Sequence, residues 1–345
     1  MHAMINSNKI FIIAEAGVNH NGSVSLAKKM VDAAKTAGAD CVKFQTFRAE
    51  DIVTASAPKA HYQLDVTDKN ESQLEMLKKL ELDFAAHQEL IEHCRNVGIE
   101  FLSTPYNIGD ITLLEKLGAG SYKVASGQLV EPDFLRAVAE TGKLMYLSTG
   151  MATLEEVAAA VRAIRATGND QLVLMQCTTN YPSRLQDANL LAIPTMADAF
   201  GTTMGYSDHT TSDTACMVAI GLGARVIEKH LTLDRSLPGP DHAASATPEE
   251  LTRLCRAVRE AELALGSGIK EPCEAEVVNA RCMRRSLVAS RLIKAGEIIR
   301  EDMLACKRPG TGIRPDMLPE VVGCVATREI QISELITWDI CRDRT

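Results

Sequence analysis

Met204-Gly205-Tyr206-Ser207-Asp208-His209-Thr210 and, further along, Val226-Ile227-Glu228-Lys229-His230-Leu231 repeat one pattern: a short apolar run, charged residues, then a histidine. Each reads as a buried strand ending on an imidazole. If the two strands are consecutive and parallel in one sheet, His209 and His230 leave the same carboxyl edge, close enough to share a divalent metal. One strand-end histidine reads equally well as a hydrogen-bonded core residue. Two at matched positions point to the floor of an active site.

The same alternation covers the chain from Ile10 onward. Candidate strands occupy 10–14, 41–45, 99–102, 122–125, 144–147, 172–176, 203–206 and 225–228, and candidate helices 26–36, 84–96, 112–117, 133–140, 154–166, 188–200, 214–222 and 248–265. Eight βα units predict an α/β fold, a closed (β/α)8 TIM barrel. The alternative is an open doubly wound sheet, but no GxGxxG fingerprint follows the first strand. The barrel is assigned to 1–268 and a linker, helical near 274–281, to 269–284. A β-rich module with strands at 286–289, 304–307 and 322–326 is assigned to 285–345. At about sixty residues this module is marginal alone, so it is expected to dock on the barrel of its own chain or of a partner. The second unit carries an insertion over 47–82, polar around Ala57-Pro58-Lys59-Ala60-His61-Tyr62-Gln63. It reads as a lid or specificity loop, or as a surface excursion with its own short helix.

Hydrophobic residues make up 46% of the chain and aromatic ones 4%, the filling of an α/β core rather than a β-sandwich. The net charge of −8 leaves no basic face for nucleic acid, so anionic substrates need local lysines. Ten scattered cysteines without a CxxC pair fit a reduced, cytoplasmic chain. The short polar segment 1–9 and the lack of a long apolar run predict neither export nor a membrane span.

Reactive groups of such barrels gather where the strands end. Lys43 and Lys123 interrupt apolar strands, which is costly unless an anion or carboxylate meets them. They read as anion ligands, or else as snorkelling or ion-paired structural lysines. Thr104, Ser126, Ser148 and Ser207 add hydroxyls, while Gly127 and Gly150 let backbone amides approach a phosphate. Glu15 ends the strand that a closed barrel sets beside His230, as a metal ligand or a general acid or base. Asp208 and Glu228 are candidates for orienting the imidazoles. Asp241, in Pro238-Gly239-Pro240-Asp241-His242, puts a carboxylate on a stiff loop at the same face, or caps a helix.

Motifs spread over nearly the whole chain resemble those of the sialic acid synthases: Ala14-Glu15-Ala16-Gly17-Val18-Asn19-His20-Asn21-Gly22, Val42-Lys43-Phe44-Gln45, Ser103-Thr104-Pro105, Ser148-Thr149-Gly150-Met151, Tyr206-Ser207-Asp208-His209-Thr210, Glu228-Lys229-His230 and Gly239-Pro240-Asp241. The tail, with Lys307-Arg308-Pro309-Gly310, is similar to that family's antifreeze-like (SAF) domain of β-clip fold. The resemblance implies an N-acylneuraminate synthase-type transferase that joins phosphoenolpyruvate, N-acetylmannosamine and water, releasing N-acetylneuraminate and phosphate by C–O cleavage. Relatives that make legionaminic acid from 2,4-diacetamido-2,4,6-trideoxymannose are the rival reading.

The resemblance further implies that His209 and His230 hold a divalent metal, typically manganese, with magnesium or cobalt as alternatives. It gives phosphoenolpyruvate to Lys43, Thr104, Lys123, Ser126, Ser148, Thr179 and Ser207. It sets Glu15, Gln45, Gln128, Tyr181 and Asp241 toward the sugar or the reacting centre, with Glu15 handling protons. Arg308 would reach the sugar's N-acyl group from a second subunit, in a homodimer with swapped C-terminal domains. Three residues depart from the family pattern: Gln128 where glutamate is common, Gln176 where histidine is common, and Thr179 at an asparagine position. Two other classes fit the barrel: a Schiff-base aldolase using Lys123 or Lys43, and a metal-dependent hydrolase, which usually brings more ligands to its metal.

Overall fold

The computed structural model describes residues 9–60, 63–64, 67–68 and 71–342. Residues 1–8 of the short polar N-terminal segment, and His61 and Tyr62 of the insertion, lie outside the described residues, as do 343–345. The chain divides into two compact units, Met1–Gly266 and Ser267–Thr345.

The first unit repeats strand and helix eight times: β1 Phe11–Gly17 and α1 Val24–Ala37, β2 Cys41–Thr46 and α2 Phe84–Val97, β3 Glu100–Pro105 and α3 Ile108–Lys116, β4 Ser121–Val124 and α4 Pro132–Ala139, β5 Leu144–Ser148 and α5 Leu154–Arg165, β6 Leu172–Cys177 and α6 Ala192–Phe200, β7 Thr203–Asp208 and α7 Thr214–Gly221, β8 Val226–His230 and α8 Pro248–Leu265. The strands form one parallel sheet in the order β3-β2-β1-β8-β7-β6-β5-β4. Every neighbour is a sequence neighbour and β1 pairs with β8, whereas a doubly wound sheet reverses its order at a switch point. At the seam, Ser121 Oγ of β4 donates to Glu100 Oε1 of β3 at 3.4 Å. This is the expected TIM-like barrel.

Strand alternation explains the layering. Inward residues such as Ile13, Leu102, Tyr146, Val173 and Val226 fill the barrel. Outward residues such as Ile12, Val42, Leu174 and Ile227 pack beneath the helices. Strands buried on both faces read as continuous apolar runs, which is why they were legible. Ser23, Asp83, Asn107, Thr153 and Thr247 accept first-turn N–H groups and start α1, α2, α3, α5 and α8. Replacing such a cap by alanine costs about 1 kcal/mol.

Five element boundaries differ from expectation in ways that matter. Strands β1, β7 and β8 run past their apolar cores, so that Glu15 is a ladder residue, registered with Lys43 on β2 and His230 on β8. Helix α3 starts early, at Ile108, because Asn107 and Asp110 form a capping box ahead of it. Helix α6 starts late, at Ala192, because Leu185–Asp187 is a 3-10 turn. Ala49–Ile52 and Gln73–Lys78 of the insertion are short helices.

The second unit holds α9 Glu274–Met283, β9 Ser286–Ala289, β10 Leu304–Lys307, β11 Val325–Ala326 and β12 Cys341–Arg342. Antiparallel β9–β10 and β11–β12 pairs enclose Leu287, Ile293, Ile299 and Ile336. Strand β11 is shorter than expected because Leu318–Val321 is helical. Among the described residues no helix is long and apolar enough to cross a membrane, and all ten cysteines are free thiols.

Candidate active site

A cavity of 280 Å³ opens where the barrel strands end, and it gathers nearly every residue nominated above. Glu15, Lys43, Gln45, Thr104, Lys123, Ser126 and Gln128 line it, together with Ser148, Thr179, Tyr181, Ser207, His209, His230 and Asp241. Gln63 and Leu77 bring the insertion into its wall. Arg308 belongs to the second unit, where its exposed side chain donates from Nε to Met283 O at 3.1 Å.

The floor is a charge-balanced tetrad. Lys43 Nζ lies 2.8 Å from Glu15 Oε2 and 3.7 Å from Glu228 Oε2, and Lys123 Nζ lies 3.5 Å from Glu228 Oε1. Burial pushes the Glu15 carboxyl up, and despite the pull of Lys43 it stands at about 7. Burial acts upward on Glu228 too, but Lys123 and Lys43 outweigh it and hold that carboxyl at about 2. Lys43 is raised because Glu15 and Glu228 overcome its desolvation, whereas burial dominates at Lys123 and lowers it.

Hydroxyls surround the lysines. Lys43 donates to Thr104 Oγ1 at 3.1 Å, Lys123 to Ser148 Oγ at 2.6 Å, and Ser207 Oγ to Glu228 Oε1 at 2.9 Å. The Gly150 amide donates to Ser126 Oγ at 3.0 Å, and a Cβ on Gly150 would lie 2.3 Å from Thr179 Oγ1. Only glycine allows these three strand ends to close into a polar cradle. Two ammoniums, several hydroxyls and a close backbone amide are the donors that a phosphate and a carboxylate require.

The histidines meet above this floor. Their ring centroids are 5.3 Å apart, and Tyr181 packs on both, at 4.1 Å from His209 and 5.6 Å from His230. His209 Nδ1 donates to Thr178 O at 2.7 Å, which leaves Nε2 as a lone-pair donor for a metal. His230 Nδ1 is buried without a hydrogen-bond partner, its nearest acidic oxygen being Asp241 Oδ2 at 4.0 Å. An orphaned buried imidazole nitrogen beside a second imidazole suits a divalent metal. No group of three or more His, Cys, Asp or Glu able to hold a metal occurs among the described residues, so a metal here would take its other ligands from substrate or solvent. Burial raises Asp241 to about 6. Its side chain makes no capping hydrogen bond to the 3-10 turn His242–Ala244, so the helix-cap reading does not apply.

Residues 30–270 match the NeuB family and residues 284–339 the SAF domain. The chain belongs to the NeuB family. It is 45% identical over 330 residues, 95% of this chain and 99% of the relative, to the N,N'-diacetyllegionaminic acid synthase of Campylobacter jejuni subsp. jejuni. It is 44% identical over 339 residues, 97% and 95% of the two chains, to the enzyme of that name from Legionella pneumophila subsp. pneumophila. Among solved structures, the N-acetylneuraminic acid synthetase of Leptospira borgpetersenii, crystallised with citrate, superposes with a TM-score of 0.72 at 32% identity, covering 79% of this chain and 91% of that one.

Within this NeuB chain three expectations are corrected. Asp208 does not hydrogen-bond an imidazole: it alternates to the outer face of β7, where Lys229 Nζ donates to Oδ2 at 2.6 Å. Glu228 does face inward, but toward Ser207 and the two lysines rather than the imidazoles. Its position two residues before His230 on the same strand was the available signal. Gln176 points away from the cavity and donates to Ala188 O at 3.0 Å, so its departure from the family pattern leaves the site's lining unchanged. Sequence reasoning also missed Cys177 and Tyr106 as cavity residues; Tyr106 OH donates to Gln45 Oε1 at 3.1 Å.

Proposed function

We propose that this chain condenses phosphoenolpyruvate with 2,4-diacetamido-2,4,6-trideoxymannose and water to give N,N'-diacetyllegionaminic acid and phosphate. The observation that carries the reading is its identity to two N,N'-diacetyllegionaminic acid synthases, 45% and 44%, against 32% to the N-acetylneuraminic acid synthetase. Gln128 agrees with the diacetamido sugar. It is buried, lines the cavity, and its Oε1 has no hydrogen-bond partner. A carboxamide both accepts from an acetamido N–H and donates to an acetamido carbonyl, whereas a carboxylate only accepts.

In this reading Lys43 and Lys123 bind the phosphate and carboxylate of phosphoenolpyruvate, with Thr104, Ser126, Ser148, Thr179 and Ser207 completing the donors. C3 of phosphoenolpyruvate forms the new bond to the aldehyde carbon, water adds at C2, and phosphate leaves with the electron pair of the C2–O bond. Manganese or another divalent cation held by His209 and His230 would supply Lewis acidity at the aldehyde oxygen. Glu15, standing at about 7, exchanges a proton with the water that adds at C2. Gln45, Tyr181 and Asp241 surround the sugar. Arg308 of a partner subunit meets an N-acyl group, in a homodimer with exchanged C-terminal domains. Phosphate release from phosphoenolpyruvate with manganese and each sugar in turn tests the reading. Faster turnover of the diacetamido sugar is expected, and no release with either sugar from folded, metal-replete protein would refute it.

A further inference from the structure

Behind the two histidines lies a buried ion pair that the proposed reaction does not use. Asp208 and Lys229 are registered opposite each other on β7 and β8, each one residue before a histidine. Their side chains are 0% and 5% exposed, on the outer face of the barrel. Asp208 Oδ2 accepts from Lys229 Nζ at 2.6 Å and from Cys216 Sγ at 3.3 Å, while Oδ1 accepts from Tyr206 OH at 3.0 Å and from Thr210 N at 2.8 Å. Lys229 Nζ also donates to Thr210 O. Both backbone groups of the residue after His209 are thus held by this one pair.

The placement matters because Asp208↔Lys229 is the last rung between β7 and β8 among the described residues. Beyond it the histidines are tied to other neighbours: His209 O accepts from Ser183 N, and His230 O from Ala246 N, each at 2.8 Å. The ion pair is therefore the last registered link across the two strands before the histidines. A buried ion pair is poor at adding stability over apolar residues of similar volume, and its best-attested use is to fix register.

We propose that the Asp208–Lys229 pair is a register clamp that sets the separation of His209 and His230, and through it the affinity of the site for a divalent cation. Both are positioning residues, and the affinity half of the inference rests on the metal reading above. Two variants test it: Asp208→Val/Lys229→Met, which replaces the pair by apolar residues, and Asp208→Asn, which keeps the acceptor for Tyr206 and Thr210 but loses the charge. Manganese alone is titrated into wild type, both variants and His230→Ala, with thermal unfolding as the fold control, and wild type and the double variant are crystallised. Manganese Kd is expected to rise about ten- to hundredfold in both clamp variants while cooperative unfolding persists. The ring centroids should depart from their 5.3 Å separation by more than about 0.5 Å in the double variant. Variants that bind manganese like wild type, with superposable rings, overturn the clamp. If His230→Ala leaves manganese affinity unchanged, the metal reading fails instead, and the ring positions alone decide the clamp.

Discussion

Lys43 Nζ and Glu15 Oε2 stand 2.8 Å apart with both side chains buried, so the ammonium best placed for an incoming anion is already engaged by a carboxylate. Burial has pushed Glu15 up to about 7, and protonating it releases Lys43. The sign follows: phosphoenolpyruvate should bind more tightly as pH falls through about 7. In Glu15→Gln the profile should show only the ligand's own titration, and kcat should fall by about 10² to 10⁴. Binding titrations between about pH 6 and 8.5 check this, and parallel profiles for the two proteins would remove Glu15 from the competition.

Glu228 predicts the opposite pH behaviour in stability. Its folded value near 2 lies below the unfolded value of about 4.3, so its contribution is present above the unfolded value and is lost as pH falls through about 2. Glu228→Gln leaves Lys43 and Lys123 with one carboxylate fewer and should cost about 3 to 5 kcal/mol at neutral pH. Urea unfolding should show that gap narrowing toward pH 2.

Gln128→Glu should move sugar preference toward N-acetylmannosamine. Removing the amide donor leaves an acetamido carbonyl facing a carboxylate, and a mispaired buried polar group is worth about tenfold or more in kcat/KM. Unchanged relative kcat/KM values for the two sugars would clear Gln128 of a role in specificity.

His230→Ala should fold normally by circular dichroism and lose at least about a hundredfold in manganese affinity, more than a change in a ligand's supporting residue brings. Retained affinity would mean that the cation binds elsewhere.

Borohydride with both substrates should leave the protein mass unchanged. Lys43 is held protonated by Glu15 and Glu228 and is not an available nucleophile, whereas burial lowers Lys123, whose Nζ donates to Ser148 Oγ at 2.6 Å, so Lys123 is the lysine on which the aldolase reading stands or falls. A trapped adduct on either lysine would favour the aldolase.

The barrel was legible because doubly buried strands show as apolar runs punctuated by helical periodicity, and because polar residues at strand ends have no core role to explain them. Lys43, Lys123, His209 and His230 stood out for that reason. Which of two adjacent polar residues faces inward is decided by strand parity, counted from each histidine. Asp208 and Glu228 looked equivalent beside their histidines, and only strand parity sent one outward to Lys229 and the other inward to Lys43. Gln176 looked like an altered site residue for the same reason, and parity turns it toward Ala188. The Lys43–Glu15 ion pair also required register, because β1 and β2 are separated in sequence by a whole helix.

The choice of sugar is tested most directly by competition. Equal concentrations of N-acetylmannosamine and 2,4-diacetamido-2,4,6-trideoxymannose, with limiting phosphoenolpyruvate and manganese, give a product ratio by mass spectrometry that equals the ratio of kcat/KM values. A product that is mostly N,N'-diacetyllegionaminic acid is the predicted result, and a product that is mostly N-acetylneuraminate would contradict it.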